Sequence, residues 1–301
     1  MLAADIGGTN IRLAQIRDGL IINEVRHQAS FNQLNHLNSK QAELHILHVL
    51  QETAETLLTE DTQGLGLGFP GFFIGNSGVL AASPNIPQLK NFALSKALSE
   101  RLNIPVAAQN DALCAAVGEH SFGAGKGCTN LLHITLGTGI GGGLILNHQP
   151  YTGESGMAME FGHLRIDSAN DVRLCGCGNH GCVEAYASAH AISTQYFEVT
   201  GRQTSANHIY QAALNGDENA QTILNHAGTY LGQAIAEAVK LLDIRHVSIS
   251  GGLLGAWDIL HPPMLQALNQ HLIPPQQGKI IILPSTLDDN AGLLGAATLL
   301  A

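Results

Sequence analysis

Cys175, Cys177 and Cys182 fall within eight residues of a chain that has five cysteines in all. His163 lies twelve positions before Cys175, which gives the spacing H-x11-C-x-C-x4-C. One imidazole and three potential thiolates make a tetrahedral Cys3His set for Zn2+. No coordination position is left over, so the metal would be structural. The interleaved glycines let the backbone wrap a small ion, and the need for thiolates couples metal uptake to local folding. The alternative is three reduced thiols packed in a loop. Cys114 and Cys128 lie in apolar stretches and read as small buried hydrophobes.

Two glycine turns could handle phosphate. In DIGGTN, Asp5 ends a strand, and Gly7 and Gly8 permit positive φ and a close approach of backbone N–H groups to an anion. Thr9 adds a hydroxyl, and Asn10 ends the turn before IRLAQIR. Asp5 could hold Mg2+, through water, because Mg2+ keeps much of its hydration shell. An ordinary tight hairpin is the alternative. In LGTGIGGG, residues Gly137, Gly139 and Gly142 fit the G-x-G-x-x-G dinucleotide fingerprint, which requires a helix immediately afterwards. Leu144-Ile145-Leu146 continue as a strand instead, so a β-turn-β phosphate clamp fits better. Asn110-Asp111 follows a strand and opens a helix, where an aspartate reads first as a cap.

The elements that must position these residues follow from pattern. LAADI, the alternating IRLAQIR and LIINEVR form strands, the last two joined by an Asp18-Gly19 hairpin signal. Apolar residues at helical spacing run over 39–59, and 93–102 predicts another helix. GLGLGF, PVAAQ, NLLHITL, GLILN, HVSIS and IILPS read as strands. Residues 185–240 read as mostly helical, with an interruption near 215, and NAGLLGAATLLA suits a small-residue helix packed closely on a sheet. Strand, Gly/Thr turn, strand occurs twice, as two similar α/β halves with mixed sheets would require.

The chain is 301 residues long, 45% hydrophobic and carries a formal net charge of −10. That charge disfavours nucleic acid, which needs a basic partner, and disfavours an acidic membrane face. No apolar run approaches the roughly 20 residues that span a bilayer. The N-terminal residues show no export signal. A cytoplasmic protein is expected, and there clustered thiols serve metals more often than disulfides.

In order, DIGGTN, GLGFPG, QNDA, LGTGIGGG, EFGH, CGCGNHGCVEAYAS, SGGLL and GLLGAA resemble the motif series of the ROK family. That family groups bacterial sugar kinases, related repressors and the animal N-acetylmannosamine kinase domain. The resemblance runs through nearly the whole chain. It implies two actin-like (ribonuclease H-like) ATPase domains flanking a cleft. Residues 1–111, completed by the C-terminal helix 289–301, would form the smaller domain, and 112–288 the larger one with the zinc motif and nucleotide site. It also implies an ATP-dependent sugar kinase using Mg2+ with ATP, and, as family members are often dimers, a homodimer.

The family pattern carries over residue by residue. Asp111 matches the catalytic base that takes the proton of the sugar 6-hydroxyl. Thr138 and Gly139 would face the β- and γ-phosphates, and Gly251-Gly252 resemble the element on which adenosine lies. Asn110, Glu160 and Glu184 match groups that hydrogen-bond the sugar. His163 matches a residue that both ligates zinc and touches the sugar, and Gly71 and Asn85 match positions lining it. Three positions depart from common family residues: Phe72 after GFPG, Met159 before Glu160, and Asn290 before the last helix. They leave the acceptor open among glucose, N-acetylglucosamine and N-acetylmannosamine. A sugar-sensing regulator or a sugar-binding protein without activity is the competing reading. A regulator needs a DNA-binding segment ahead of the phosphate turn, which here begins at residue 5, and a binding protein has no use for Asp111 and three nucleotide elements.

Overall fold

The computed structural model describes residues 1–7, 10–29, 31–169 and 172–300, with the backbone alone at 32 and 35. In chain order, β1 (Leu2–Ile6), β2 (Asn10–Arg17) and β3 (Leu20–Gln28) precede α1 (Ser39–Glu55) and β4 (Leu65–Phe69). Short strands β5 (Phe72–Phe73), β6 (Leu80–Ala82) and β7 (Lys90–Phe92) lead to α2 (Leu94–Leu102), β8 (Val106–Asn110) and α3 (Asp111–Phe122). Then come β9 (Leu131–Leu136), β10 (Ile140–Leu146) and β11 (Gln149–Pro150), followed past the cysteines by α4 (Glu184–Ala187) and α5 (Ala189–Thr200). The chain continues through α6 (Ala206–Leu214), α7 (Glu218–Leu242), β12 (His246–Ser250), α8 (Trp257–His271), β13 (Ile281–Pro284) and α9 (Ala291–Ala297). No described helix is long and apolar enough to cross a membrane.

Two five-stranded sheets share one strand order. They run β3-β2-β1-β4-β8 and β11-β10-β9-β12-β13, which is third, second, first, fourth, fifth in each case. In the first sheet β1 is antiparallel to β2 and parallel to β4, and β4 is parallel to β8. In the second, β12 is parallel to both β9 and β13. Each glycine turn therefore falls between the first and second strands of its sheet. The Asp18-Gly19 turn has φ of 51° and 73°, the left-handed pair a two-residue hairpin favours.

By contact the chain divides into two compact units. One comprises Met1–Thr129, Gly143–Met159 and Thr286–Ala301, the other Asn130–Gly142 and Glu160–Ser285. The boundary differs from the expected one at residue 111, because α3 belongs with the first unit. A Cβ at Gly118 of α3 would lie 2.0 Å from the Ala291 carbonyl of α9. Likewise, one at Gly295 of α9 would lie 1.8 Å from that of Cys114. Gly143 joins this unit for a similar reason, as its Cβ would be 2.4 Å from that of Ala116.

In the first unit, strand alternation sends neighbouring residues to opposite faces. Leu2, Ala4 and Ile6 of β1 and Ile11 and Leu13 of β2 enter the core shared with α1 and α2. Ala3, Ala14 and Ile16 enter the other core, with Cys114 of α3 and Leu293, Leu294 and Ala296 of α9. By that parity Asp5 and Arg12 belong to the α3–α9 face. In the second unit α7 packs on α8, and Cβ atoms at Gly228 and Gly232 would lie 2.4 Å and 2.1 Å from α8 carbonyls.

Candidate functional site

The first unit gathers charge on the α3–α9 face of its sheet. Asp5 and Arg12 are register partners across β1 and β2. The guanidinium of Arg12 donates to both Glu24 oxygens at 3.0 Å and to Asn290 Oδ1 at 2.8 Å, and it also reaches the Asp289 carbonyl. Asn290 thus holds Arg12, a role its difference from the common family residue had not suggested. Burial, and then the charge of Asp111, push Asp5 up to about 7, with Arg12 opposing the rise. Burial also raises Asp111 above the usual carboxylate range, against an N–H donated to it by Ala112 at 2.9 Å. Two desolvated carboxylates that repel one another form a donor set that a cation relieves. Asp5 therefore fits a hydrated Mg2+.

The helix cap is Asn110, not Asp111. Its Oδ1 accepts the Leu113 N–H at 3.0 Å while its Nδ2 donates to the Gly71 carbonyl at 3.1 Å. Asp111 is the first helical residue, and its carboxylate does not serve as the cap. Gly71 has a positive φ of 155°, which L side chains rarely adopt, and a Cβ there would meet Leu80 Cδ1 at 2.6 Å and the Ala82 carbonyl at 2.8 Å. Ser83 donates to the neighbouring Pro70 carbonyl at 2.8 Å, which ties GFPG to the exposed turn carrying Asn85. In the first glycine turn the Gly7 N–H meets the Asn10 carbonyl at 2.8 Å. Gly7 does not adopt positive φ, so its value is the missing side chain, not the backbone conformation expected of it. Gly8 and Thr9 lie outside the described residues.

In the second unit His163, Cys175, Cys177 and Cys182 converge, with one donor atom from each and all four within 4.8 Å of one another. Cys177 Sγ lies 3.8 Å from Cys182 Sγ, and Cys175 Sγ lies 3.6 Å from His163 Nδ1. Zinc–ligand bonds of about 2.3 Å to sulfur and about 2.05 Å to nitrogen give tetrahedral edges of about 3.8 Å and about 3.6 Å. The set therefore fits Zn2+. Burial and the neighbouring sulfurs push the Cys182 thiol up to about 12, so a cation is needed to make it a thiolate. The other imidazole nitrogen, His163 Nε2, faces Glu160 Oε2 at 3.7 Å, the kind of outer partner that orients a metal-ligating histidine. Cys114 is fully buried, as read, but Cys128 is only half-buried.

The second glycine turn lies against the segment that follows the cysteines. Gly137 N–H meets the Gly139 carbonyl at 3.0 Å, which closes the turn. Glu184 Oε2 accepts the Ile140 N–H at 2.8 Å, and its Oε1 lies 3.7 Å from Cys175 Sγ. The first amides of α5 donate to the turn, Ala189 to the Gly137 carbonyl at 3.0 Å and His190 to that of Thr138 at 3.4 Å. Gly251 ends β12 with φ 100°, where a Cβ would be 2.4 Å from the Leu136 carbonyl. A Cβ at Gly252 would meet nothing within 4 Å, which leaves its surface open to a ligand.

Arg12 and Glu24 were not singled out by sequence. Their signal was present in the alternation of IRLAQIR, which places Arg12 with Ala14 and Ile16, and so beside Asp5 once the hairpin register is counted.

The chain resembles known proteins along its whole length. It is 31% identical to a glucokinase of Thermotoga maritima, over 100% of this chain and 96% of that protein. It is 33% identical to an N-acetyl-D-glucosamine kinase of Histophilus somni, over 98% and 97%. A ROK family glucokinase from Streptomyces griseus, solved with glucose and AMPPNP, superposes with a TM-score of 0.83 at 28% identity. That match covers 99% of this chain and 98% of the other. ROK sugar kinases have the two-domain actin-like fold, and the repeated strand order of the two sheets agrees with it. The model of the ROK family matches residues 1–301, and the chain belongs to that family.

Proposed function

We propose that the protein is an ATP-dependent hexose kinase that phosphorylates the 6-hydroxyl of glucose or of a 2-acetamido hexose. The observation that carries this reading is Asp111. It opens α3 without capping it, and burial raises its affinity for a proton. A buried carboxylate with a raised affinity for a proton suits a general base. Asp111 would take the 6-hydroxyl proton as that oxygen bonds to the γ-phosphorus, while the bond to the bridging oxygen of ADP breaks.

Phosphoryl transfer asks the rest of the protein for positioning and charge neutralisation. Asn110 retains one Nδ2 hydrogen after bonding the Gly71 carbonyl, and with Gly71, Asn85, Glu160, His163 and Glu184 it would orient the sugar. Gly7, Asn10, Gly137, Thr138, Gly139, Gly251 and Gly252 would hold the nucleotide. Asp5 would hold Mg2+, which supplies neutralisation of phosphate charge when bound. Zinc would do no chemistry and would fix the loop bearing His163. Thiols kept reduced for zinc suit the cytoplasm.

The test is ADP release with Mg-ATP across glucose, N-acetylglucosamine, N-acetylmannosamine, mannose and fructose. One strongly preferred sugar is expected. No turnover with any of them, from folded zinc-loaded protein, would favour a sugar-binding regulator.

A further inference from the structure

Glu184 lies against the turn read as phosphate-binding, and its Oε2 accepts the Ile140 N–H at 2.8 Å. No side chain could intervene, since a Cβ at Gly139 would lie 2.5 Å from the same oxygen. Four residues after Glu184, Ser188 caps α5 through the Ala191 N–H. The Ala189 and His190 amides, which a helix start leaves without intrahelical partners, donate to the carbonyls of Gly137 and Thr138.

The consequence follows from peptide planarity. In a trans peptide the carbonyl of one residue and the N–H of the next point in opposite directions. Fixing the Gly137 and Thr138 carbonyls toward α5 therefore turns the Thr138 and Gly139 N–H groups away from it, as a pair. The Ile140 N–H, held by Glu184, is withdrawn from any phosphate. The segment Glu184–His190 begins two residues after the metal ligand Cys182.

We propose that Glu184, together with the first two amides of α5, is a positioning group for the nucleotide. It keeps the Thr138 and Gly139 amides aimed at the ATP phosphates and ties that turn to the zinc-bearing loop. This inference rests on the kinase reading, and it gives Glu184 a duty that is independent of sugar.

The experiment uses the full zinc-loaded chain without sugar. Mg-ADP affinity is measured by calorimetry for the native protein, Glu184→Met and Glu184→Gln. Methionine keeps the length and loses the acceptor, whereas glutamine keeps an oxygen for the Ile140 N–H. The expected result is roughly tenfold weaker Mg-ADP binding in Glu184→Met and a change of no more than about threefold in Glu184→Gln. Hydrogen exchange of the 136–142 peptide should quicken in the methionine variant alone. Native-like Mg-ADP binding and exchange in folded Glu184→Met would overturn the proposal and leave the kinase reading intact. A native protein that binds no Mg-nucleotide would overturn both. Should Glu184→Met not fold, Gly139→Ala carries the test, since its methyl would push Glu184 Oε2 off the Ile140 N–H. Unchanged exchange of the 136–142 peptide in that variant would equally overturn the proposal.

Discussion

The turn after β1 and the turn after β9 occupy the same place in sheets of the same strand order, yet the carboxylates behind them meet different partners. Both close through a backbone bond, Gly7 to Asn10 at 2.8 Å and Gly137 to Gly139 at 3.0 Å. Behind the first lie two desolvated carboxylates, Asp5 and Asp111, with Arg12 as a partial counterweight. Behind the second, Glu184 is occupied by a backbone amide, and Thr135 accepts the Gly141 N–H at 3.2 Å. Under the proposed function, the first region would take up a proton or a cation and the second would present N–H groups to an anion. Shared topology then sets where such a turn falls, and the side chains beneath it set which charge it would receive.

The contrast breaks most sharply at Asp111. In Asp111→Asn we expect kcat to fall by roughly 10^3-fold, within the range for losing a general base, with sugar affinity changed no more than about threefold. Comparable turnover in a folded variant would remove Asp111 as the base. In the native enzyme the acid limb of kcat/KM should lie above the ordinary carboxylate range, in keeping with the raised Asp111.

Next in size is the metal. Cys175→Ser should lower bound zinc, near one per chain in the native protein, and reduce the melting temperature by roughly 5–10 °C. Metal analysis that finds no zinc in folded native protein would end that claim.

Asp5 gives a smaller effect, and of the opposite sign to most mutations. Its proton is held more tightly in the folded chain, at about 7 against an ordinary 3.8. Ligand-free protein should therefore lose stability as pH rises from about 4 to about 7, and lose no more above that. Asp5→Asn removes this cost, so at pH 8 the variant should gain roughly 2–4 kcal/mol by urea unfolding, while its Mg-ATP binding weakens. An Asp5→Asn protein no more stable than native at pH 8 would show that Arg12 already neutralises the pair.

The smallest change is Asn110→Ser. It keeps a side-chain oxygen able to cap α3 and loses the donor to the Gly71 carbonyl, for a cost of about 1 kcal/mol. A larger loss in unfolding measurements would mean that the GFPG turn depends on that single bond.

Much of the first region was legible in the sequence, because strand alternation and turn residues are local signals. The metal set was legible too, since Cys175, Cys177 and Cys182 lie close together and His163 precedes them by one short segment. Other features depend on distant parts of the chain. Assigning the cap to Asn110 instead of Asp111 needed the backbone geometry, as both residue types cap helices well. The pairing of Arg12 with Asp289 and Asn290 joins residues almost a whole chain apart. The bond from Ile140 to Glu184 spans 44 positions, and no periodicity announces it. The unit boundary moved past residue 111 because α3 is claimed by α9, which a reading of neighbouring residues does not show.

The fit of α9 against the first sheet has a consequence for synthesis. A Cβ at Gly66 of β4 would lie 1.8 Å from the Ala296 carbonyl, so only a glycine there lets this helix backbone reach the face. On a ribosome, Met1–Thr129 emerges some 160 residues before α9 does, roughly 10–30 s at ordinary elongation rates. During that interval the nascent chain carries Ala3, Ala14 and Ile16 on a face that α3 covers without α9, a surface suited to chaperone capture until the last helix arrives to complete it.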